Sequence, residues 1–205
     1  MIRLPADDDG VARAASIVRG GGVVVWPSGG VYGLAASALS PEAVRRIYRM
    51  KRRPPGKPLQ VITSPEQAGV LGRLPRGARR WIRDMWPGYV GFVVRRKAPE
   101  LESLAGPDDT VLLVCPNRVA RVLSLGAQVP VVGTSANLSG RPEILTAEEA
   151  ERSFVESVDA LVDGGPQSGE LNTLLDVSRR PYRVLRSGAV PASVVLTKLA
   201  ETTRA

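Results

Sequence analysis

The chain has 205 residues, 28 Lys and Arg against 20 Asp and Glu, a net charge of +8, no histidine and one cysteine. Without histidine there is no Ser-His-Asp or Cys-His triad, no imidazole acid–base chemistry and no His-ligated metal. The lone Cys115 excludes an internal disulfide framework and a Cys-rich zinc site. The length suits one domain over residues 1–205 that buries roughly 70% of its surface, and 43% hydrophobic residues supply the core.

In chain order, Asp7, Asp8 and Asp9 suit a helix N-terminus, and Val11, Ala14, Ala15 and Val18 follow at helical spacing. Three glycines at 20–22 end that helix, and residues 23–26 are an apolar run of buried-strand type. Pro41 opens a second helix with Val44, Ile47 and Tyr48 on one face. The pattern then predicts a strand at 59–62, helices at 65–71 and 76–85, strands at 90–95 and 111–114, a helix at 119–125 and a strand at 130–132. A helix at 147–155, strands at 160–162, 173–177 and 182–185, and a helix at 191–199 complete it. Interleaved strands and helices imply an α/β fold, a twisted mixed β-sheet flanked by helices.

Only four basic residues are lysines (Lys51, Lys57, Lys97 and Lys198), and the Arg-rich remainder fits either a compositional bias or an anionic partner: a nucleotide, a phosphate-bearing substrate or RNA. Nine aromatic residues are thin for a surface that stacks on successive bases. No apolar run nears the ~20 residues that span a bilayer, and the first residues lack a signal-peptide shape, so a cytoplasmic location without membrane contact is expected.

Neither a P-loop nor a G-x-G-x-x-G signature is present. Three segments carry the chemistry. Pro27-Ser28-Gly29-Gly30-Val31-Tyr32-Gly33-Leu34 is either a turn that lets backbone approach a ligand or an ordinary strand-to-helix turn. Lys51-Arg52-Arg53-Pro54-Pro55-Gly56-Lys57 crowds four cations into seven residues, which fits a phosphate site or a basic helix end. Gly133-Thr134-Ser135-Ala136-Asn137-Leu138-Ser139-Gly140 sets hydroxyl and amide groups between glycines after a strand, either as a ligand surface or as a plain loop.

In order along the chain, Tyr32-Gly33-Leu34, Lys51-Arg52-Arg53, Lys57-Pro58-Leu59, Trp86-Pro87-Gly88, Ser135 to Gly140, Asp163-Gly164-Gly165-Pro166 and Leu185-Arg186-Ser187-Gly188 resemble the YrdC-like family over roughly residues 10–190. Its enzymes make threonylcarbamoyl-AMP from L-threonine, bicarbonate and ATP, releasing pyrophosphate, for the threonylcarbamoyladenosine modification of tRNA. The resemblance implies that Lys51, Arg53, Ser135 and Asn137 hold the nucleotide phosphates and the carbamoyl end, with Arg186 as a further nucleotide contact. It implies that Ser28, Gly30, Tyr32, Asn172 and Thr173 line the acceptor pocket. Mg²⁺ would come with the triphosphate, no protein metal site is implied, and the product would pass to separate transferase proteins.

The sequence departs from the family pattern at Ser28 to Gly30, Gly91, Val114 and Asn172, where hydroxyls and one arginine are missing. Two other readings follow: a paralogue forming a carbamoyl-type adenylate on a different amine, and a non-catalytic nucleotide or RNA binder.

Overall fold

The computed structural model describes residues 1–75, 77–154 and 157–204. Strand β1 (Ile2–Pro5) leads to Asp7, whose carboxylate accepts the Gly10 N–H at 2.8 Å and caps helix α1 (Asp8–Arg19). The expected spacing buries Val11, Ala14, Ala15 and Val18. Gly21, at φ 87°, turns the chain into β2 (Val23–Pro27), every residue of which is buried.

The next segment corrects an expectation. Residues 28–31 join β2 not to a helix but to an antiparallel partner, β3 (Tyr32–Ser37), with Trp26 opposite Gly33. All six residues of β3 are buried, so the strand has no polar face and no alternation to betray it.

Helix α2 (Pro41–Lys51), β4 (Gln60–Ile62), the single turn α3 (Ala68–Leu71), β5 (Gly72–Arg73), α4 (Ala78–Met85) and β6 (Val90–Arg96) follow. Then come β7 (Thr110–Val114), α5 (Arg118–Ala127), β8 (Val131–Ser135), α6 (Ala147–Phe154), β9 (Ala160–Asp163), β10 (Thr173–Asp176), β11 (Arg183–Arg186) and α7 (Ala192–Arg204). Strands β1 and β5 were not anticipated, being short and partly polar. The helix expected at 65–71 is reduced because Ser64 and Pro65 form a turn first, Ser64 Oγ accepting the Gln67 N–H at 3.3 Å. Arg76 and Val155, at the ends of two expected helices, lie outside the described residues.

The strands form a mixed sheet in the order β1-β9-β2-β3-β8-β4-β7-β6-β10-β11, with β5 beside β6. Helix α1 packs on α5 and on the sheet. Under β6, Phe92 sits 5.2 Å from Trp81 and 5.6 Å from Trp86, ring centre to ring centre, at tilted angles that suit aromatic quadrupoles. Among the described residues no helix is long and apolar enough to cross a membrane.

Candidate active site

Helix α2 aims the first pair of cations. Ser40 Oγ accepts the Ala43 N–H at 3.2 Å, and Pro41 occupies the first turn. At the other end Arg52 adopts the left-handed conformation, φ 48° and ψ 42°, while the Arg53 N–H returns to the Tyr48 carbonyl at 2.9 Å. This reversal ends the helix and brings Lys51 and Arg53 to one cavity of about 620 Å³, a volume suited to a nucleotide-sized ligand.

Five cations line that cavity: Lys51, Arg53, Lys57, Arg141 and Arg186. Lys51 is only 2% exposed. Its ammonium donates to the Ser135 carbonyl at 2.5 Å, to the Asn137 carbonyl, and to Asn137 Oδ1 at 3.2 Å. An ammonium has three N–H bonds, so all of them are committed within the protein. Burial, with Arg53 and Lys57 adding repulsion, pushes the Lys51 pKa down to about 8, and Glu143 pulls the other way.

The rest of the quartet closes around that ammonium. Ser135 Oγ donates to Asn137 Oδ1 at 2.5 Å, Asn137 Nδ2 donates to the Arg141 carbonyl at 2.5 Å, and the Ser139 N–H returns to the Lys51 carbonyl at 2.9 Å. Arg53 is braced by the Pro58 carbonyl at 2.7 Å, the Lys57 carbonyl at 3.2 Å and Thr134 Oγ1 at 3.4 Å. Strand β8 runs on past its expected end to Ser135, so Thr134 and Ser135 belong to the sheet and not to a loop.

Ser28 and Asn172 also line the cavity. Ser28 Oγ donates to the Val31 carbonyl at 3.0 Å, and Arg186 Nε donates to the Asn172 carbonyl at 3.0 Å. Three other residues expected to line the acceptor pocket, Gly30, Tyr32 and Thr173, are not among the lining of this cavity and bond backbone groups. Gly30 takes φ 76°, its carbonyl accepts the Gly169 N–H at 2.7 Å, and an added Cβ would lie 2.0 Å from the Glu170 carbonyl oxygen. The Tyr32 hydroxyl donates to the Gly165 carbonyl at 3.0 Å and accepts the Gly164 N–H at 3.1 Å. Fully buried Thr173 donates to the Val190 carbonyl at 2.5 Å and accepts the Gly188 N–H at 2.9 Å. Each satisfies backbone groups of the late loops.

The cavity also has an apolar wall of Val31, Leu112, Leu171 and Leu174. Val114 is fully buried, and a Cβ at Gly91 would meet Leu174 Cδ2 at 2.8 Å, Val114 Cγ1 at 3.0 Å and Leu112 Cδ1 at 3.1 Å. The sequence departures at 91 and 114 thus fall on one hydrophobic seam. Sequence reasoning missed Gln60, Arg141, Glu143 and these leucines; for Arg141 and Glu143, position just after the Ser135–Gly140 motif was the available signal.

The family model Sua5_yciO_yrdC, described as telomere recombination, matches residues 16–188. The threonylcarbamoyl-AMP synthase of Pyrococcus abyssi is 34% identical over 182 residues, covering 87% of this chain and 54% of that protein. A Mycobacterium tuberculosis relative is 32% identical over 185 residues, 88% of this chain and 85% of its own length. The crystal structure of P. abyssi Sua5 complexed with L-threonine matches with a TM-score of 0.85 at 30% identity, over 98% of this chain and 60% of that one. An α/β fold with its cations gathered at one cavity, the matched family and these relatives agree, and the chain belongs to the YrdC-like (Sua5/YciO/YrdC) family. It spans about half the length of the P. abyssi relative.

Proposed function

We propose that this chain makes threonylcarbamoyl-AMP from L-threonine, bicarbonate and ATP. The observation that carries the reading is the convergence of Lys51, Arg53, Lys57, Arg141 and Arg186 on a cavity edged by Ser135 and Asn137. The amine and bicarbonate give a carbamate with loss of water; a carbamate oxygen then attacks the α-phosphorus of ATP, and pyrophosphate leaves with the electrons of the broken P–O bond. Two anions must meet while charge grows on the leaving group. Fixed cations offset that repulsion, and positioning supplies the remainder, so no imidazole or side-chain nucleophile is needed.

Lys51 would act as a buried charge that also fixes residues 135–141, while Arg53, Lys57, Arg141 and Arg186 face the phosphates. Mg²⁺ enters on the triphosphate as part of the substrate and, when bound, shields its oxygens. The adenylate would then be consumed by a separate transferase acting on tRNA.

The test is pyrophosphate release from ATP and bicarbonate, with and without L-threonine, and mass analysis of the adenylate. Threonine-dependent release with a threonylcarbamoyl-AMP product is expected. Absence of any amine-dependent release from a protein that binds RNA in a salt-sensitive manner would overturn the reading in favour of a binding protein.

The wall of Val31, Leu112, Leu171 and Leu174 favours a second reading, in which the acceptor carries an apolar side chain. Such a wall gains little from a hydroxyl and rejects it only weakly, by about 10²-fold at most. L-Valine then supports pyrophosphate release at least as well as L-threonine; a tenfold preference for threonine excludes this acceptor class.

A further inference from the structure

Helix α2 also borders a second cavity, a groove of about 570 Å³ that it forms with Pro55, Gly56 and Pro58 and with Ser103 to Ala105. Val44 and Leu104, each 9% exposed, reach its floor. The fixed φ of the two prolines stiffens one wall. Arg45, Arg49 and Arg53 are the charged residues of its lining. Arg53 and Pro58 face the cation-lined cavity as well, whereas Arg45 and Arg49 do not.

Those two arginines are unmatched. Both are exposed. Among the described residues neither side chain has a hydrogen-bond or ion-pair partner. Like charges four residues apart on a helix repel, and no carboxylate lines the groove to offset them. Glu42 precedes them on α2 but is not part of the lining. Other cavities that arginines line differ in this respect, for they include Glu143, or Asp108 and Asp176, or Glu66. An apolar floor edged by unmatched cations complements a ligand that is at once apolar and acidic.

We propose that this groove docks an extended acidic segment of a partner protein, with carboxylates at alternate positions on Arg45 and Arg49 and an adjacent apolar side chain over Val44 and Leu104. The spacing agrees. Arg45 and Arg49 are about 6 Å apart along the helix axis, close to the ~6.6 Å between alternate residues of an extended chain. RNA fits less well: its phosphates would meet the arginines but leave the apolar floor without a partner. The groove has one aromatic residue, Tyr48, whose hydroxyl is committed to the Lys57 carbonyl at 2.7 Å, where stacking on successive bases needs several. A second copy of this chain, at +8, is repelled. The groove stands apart from the reaction proposed above and does not depend on it.

The experiment measures binding of a fluorescently labelled peptide, Gly-Glu-Leu-Glu-Leu-Glu-Gly, to the full chain by anisotropy. Peptides with Gln for every Glu, or Ser for every Leu, and an oligouridine strand serve as comparisons. The first peptide is expected to bind at least tenfold more tightly than any of the three. The double variant Arg45→Gln/Arg49→Gln is expected to weaken it at least tenfold. Ser103→Glu, which sets a carboxylate at an exposed position in the groove, should do the same. Arg79→Gln/Arg83→Gln removes two exposed arginines with the same spacing on α4 and is expected to change affinity by less than about twofold.

Equal losses in the α2 and α4 variants overturn the proposal, because net charge then explains the binding. Equal binding of the Ser-substituted peptide also overturns it, since the apolar floor then contributes nothing. Full affinity in both groove variants, lost on addition of tripolyphosphate, places the peptide in the cation-lined cavity instead. Tighter binding of oligouridine, weakened by the same groove variants, assigns the groove to nucleic acid and excludes the peptide. A wild-type chain that does not bind the first peptide refutes the proposal outright and leaves the proposed reaction untouched.

Discussion

Lys51 joins three chemical tasks in one side chain: it ends a helix, staples residues 135–141 and places a charge at the cavity. Lys51→Met keeps the length and removes the charge and donors. Two carbonyls and an amide oxygen then lose a partner, so the variant should lose about 1–3 kcal/mol in denaturant unfolding for the buried acceptors left bare. Amine-dependent pyrophosphate release should fall by about 10²-fold or more, the usual scale for a fixed charge removed from a reacting site; full activity would remove Lys51 from the mechanism.

Its lowered pKa gives a second expectation. With a folded pKa of about 8 against an ordinary 10.5, the native chain binds fewer protons than the unfolded one between those values, so this group makes stability rise with pH there. A bound triphosphate favours the charged ammonium. ATP affinity should therefore fall as pH rises through about 8, by at most about tenfold per unit, with proton uptake on binding near pH 8.5. Calorimetry in buffers of different ionisation enthalpy reads this directly, and pH-independent affinity would refute it.

At the same scale, the sequence made the Lys51, Arg53, Ser135 and Asn137 quartet legible because each sits in a short contiguous motif. It hid Leu112 and Leu174, whose shared cavity depends on which strands become neighbours. For Tyr32 and Thr173 the motif gives no sign of the backbone bonds that both hydroxyls make, because a motif residue that binds backbone reads the same as one that binds substrate.

Two turns show how elements aim the site. Arg52 holds a left-handed conformation that costs a side-chain-bearing residue about 1–2 kcal/mol, and glycine is the natural occupant of such a helix end. Arg52→Gly should raise stability by about 0.5–1 kcal/mol after its greater unfolded-state freedom is counted, while leaving ATP affinity unchanged. Thermal unfolding and calorimetry check both parts; a loss of affinity would mean that Arg52 itself faces the ligand.

Gly30 is the opposite case. A side chain there meets the Glu170 carbonyl at 2.0 Å on a backbone at φ 76°. Gly30→Thr should destabilise by more than about 2 kcal/mol without conferring threonine selectivity, since both steric overlap and left-handed strain oppose it. The hairpin that holds this turn escaped the sequence because β3 is buried on all six residues and carries no alternation, whereas α1 and α2 announced themselves through caps and a one-sided apolar stripe.

Across the whole molecule, the α/β class followed from alternating patterns, but strand order did not: pairing β3 with β8 and β6 with β10 joins segments far apart in the chain, and short apolar strands carry no address. The cavity draws on α2, β4, β7, β8, β10 and β11 together. A ligand that binds it stabilises all of them by mass action, about 2.7 kcal/mol at 100-fold its dissociation constant. In a scan with MgATP the melting temperature should rise by roughly 5–10 °C as a single transition, given about 2–4 °C per kcal/mol at this size. A biphasic scan would show that the two ends of the sheet melt apart.

The spread of that cavity along the chain also sets a clock. Its lining begins at Ser28 and is complete only at Arg186. During synthesis the basic turn at Lys51 and Arg53 emerges long before β8, β10 and β11 exist, so the early chain carries concentrated charge with no cavity to contain it. Non-local strand pairing is slow to form, and exposed edges wait for partners meanwhile. A nascent fragment ending before Asn172 would lack the amide and the arginine that close the site, and nucleotide would be of no help to it as a folding ligand. The chain must fold through β11 before a ligand of this cavity can stabilise it.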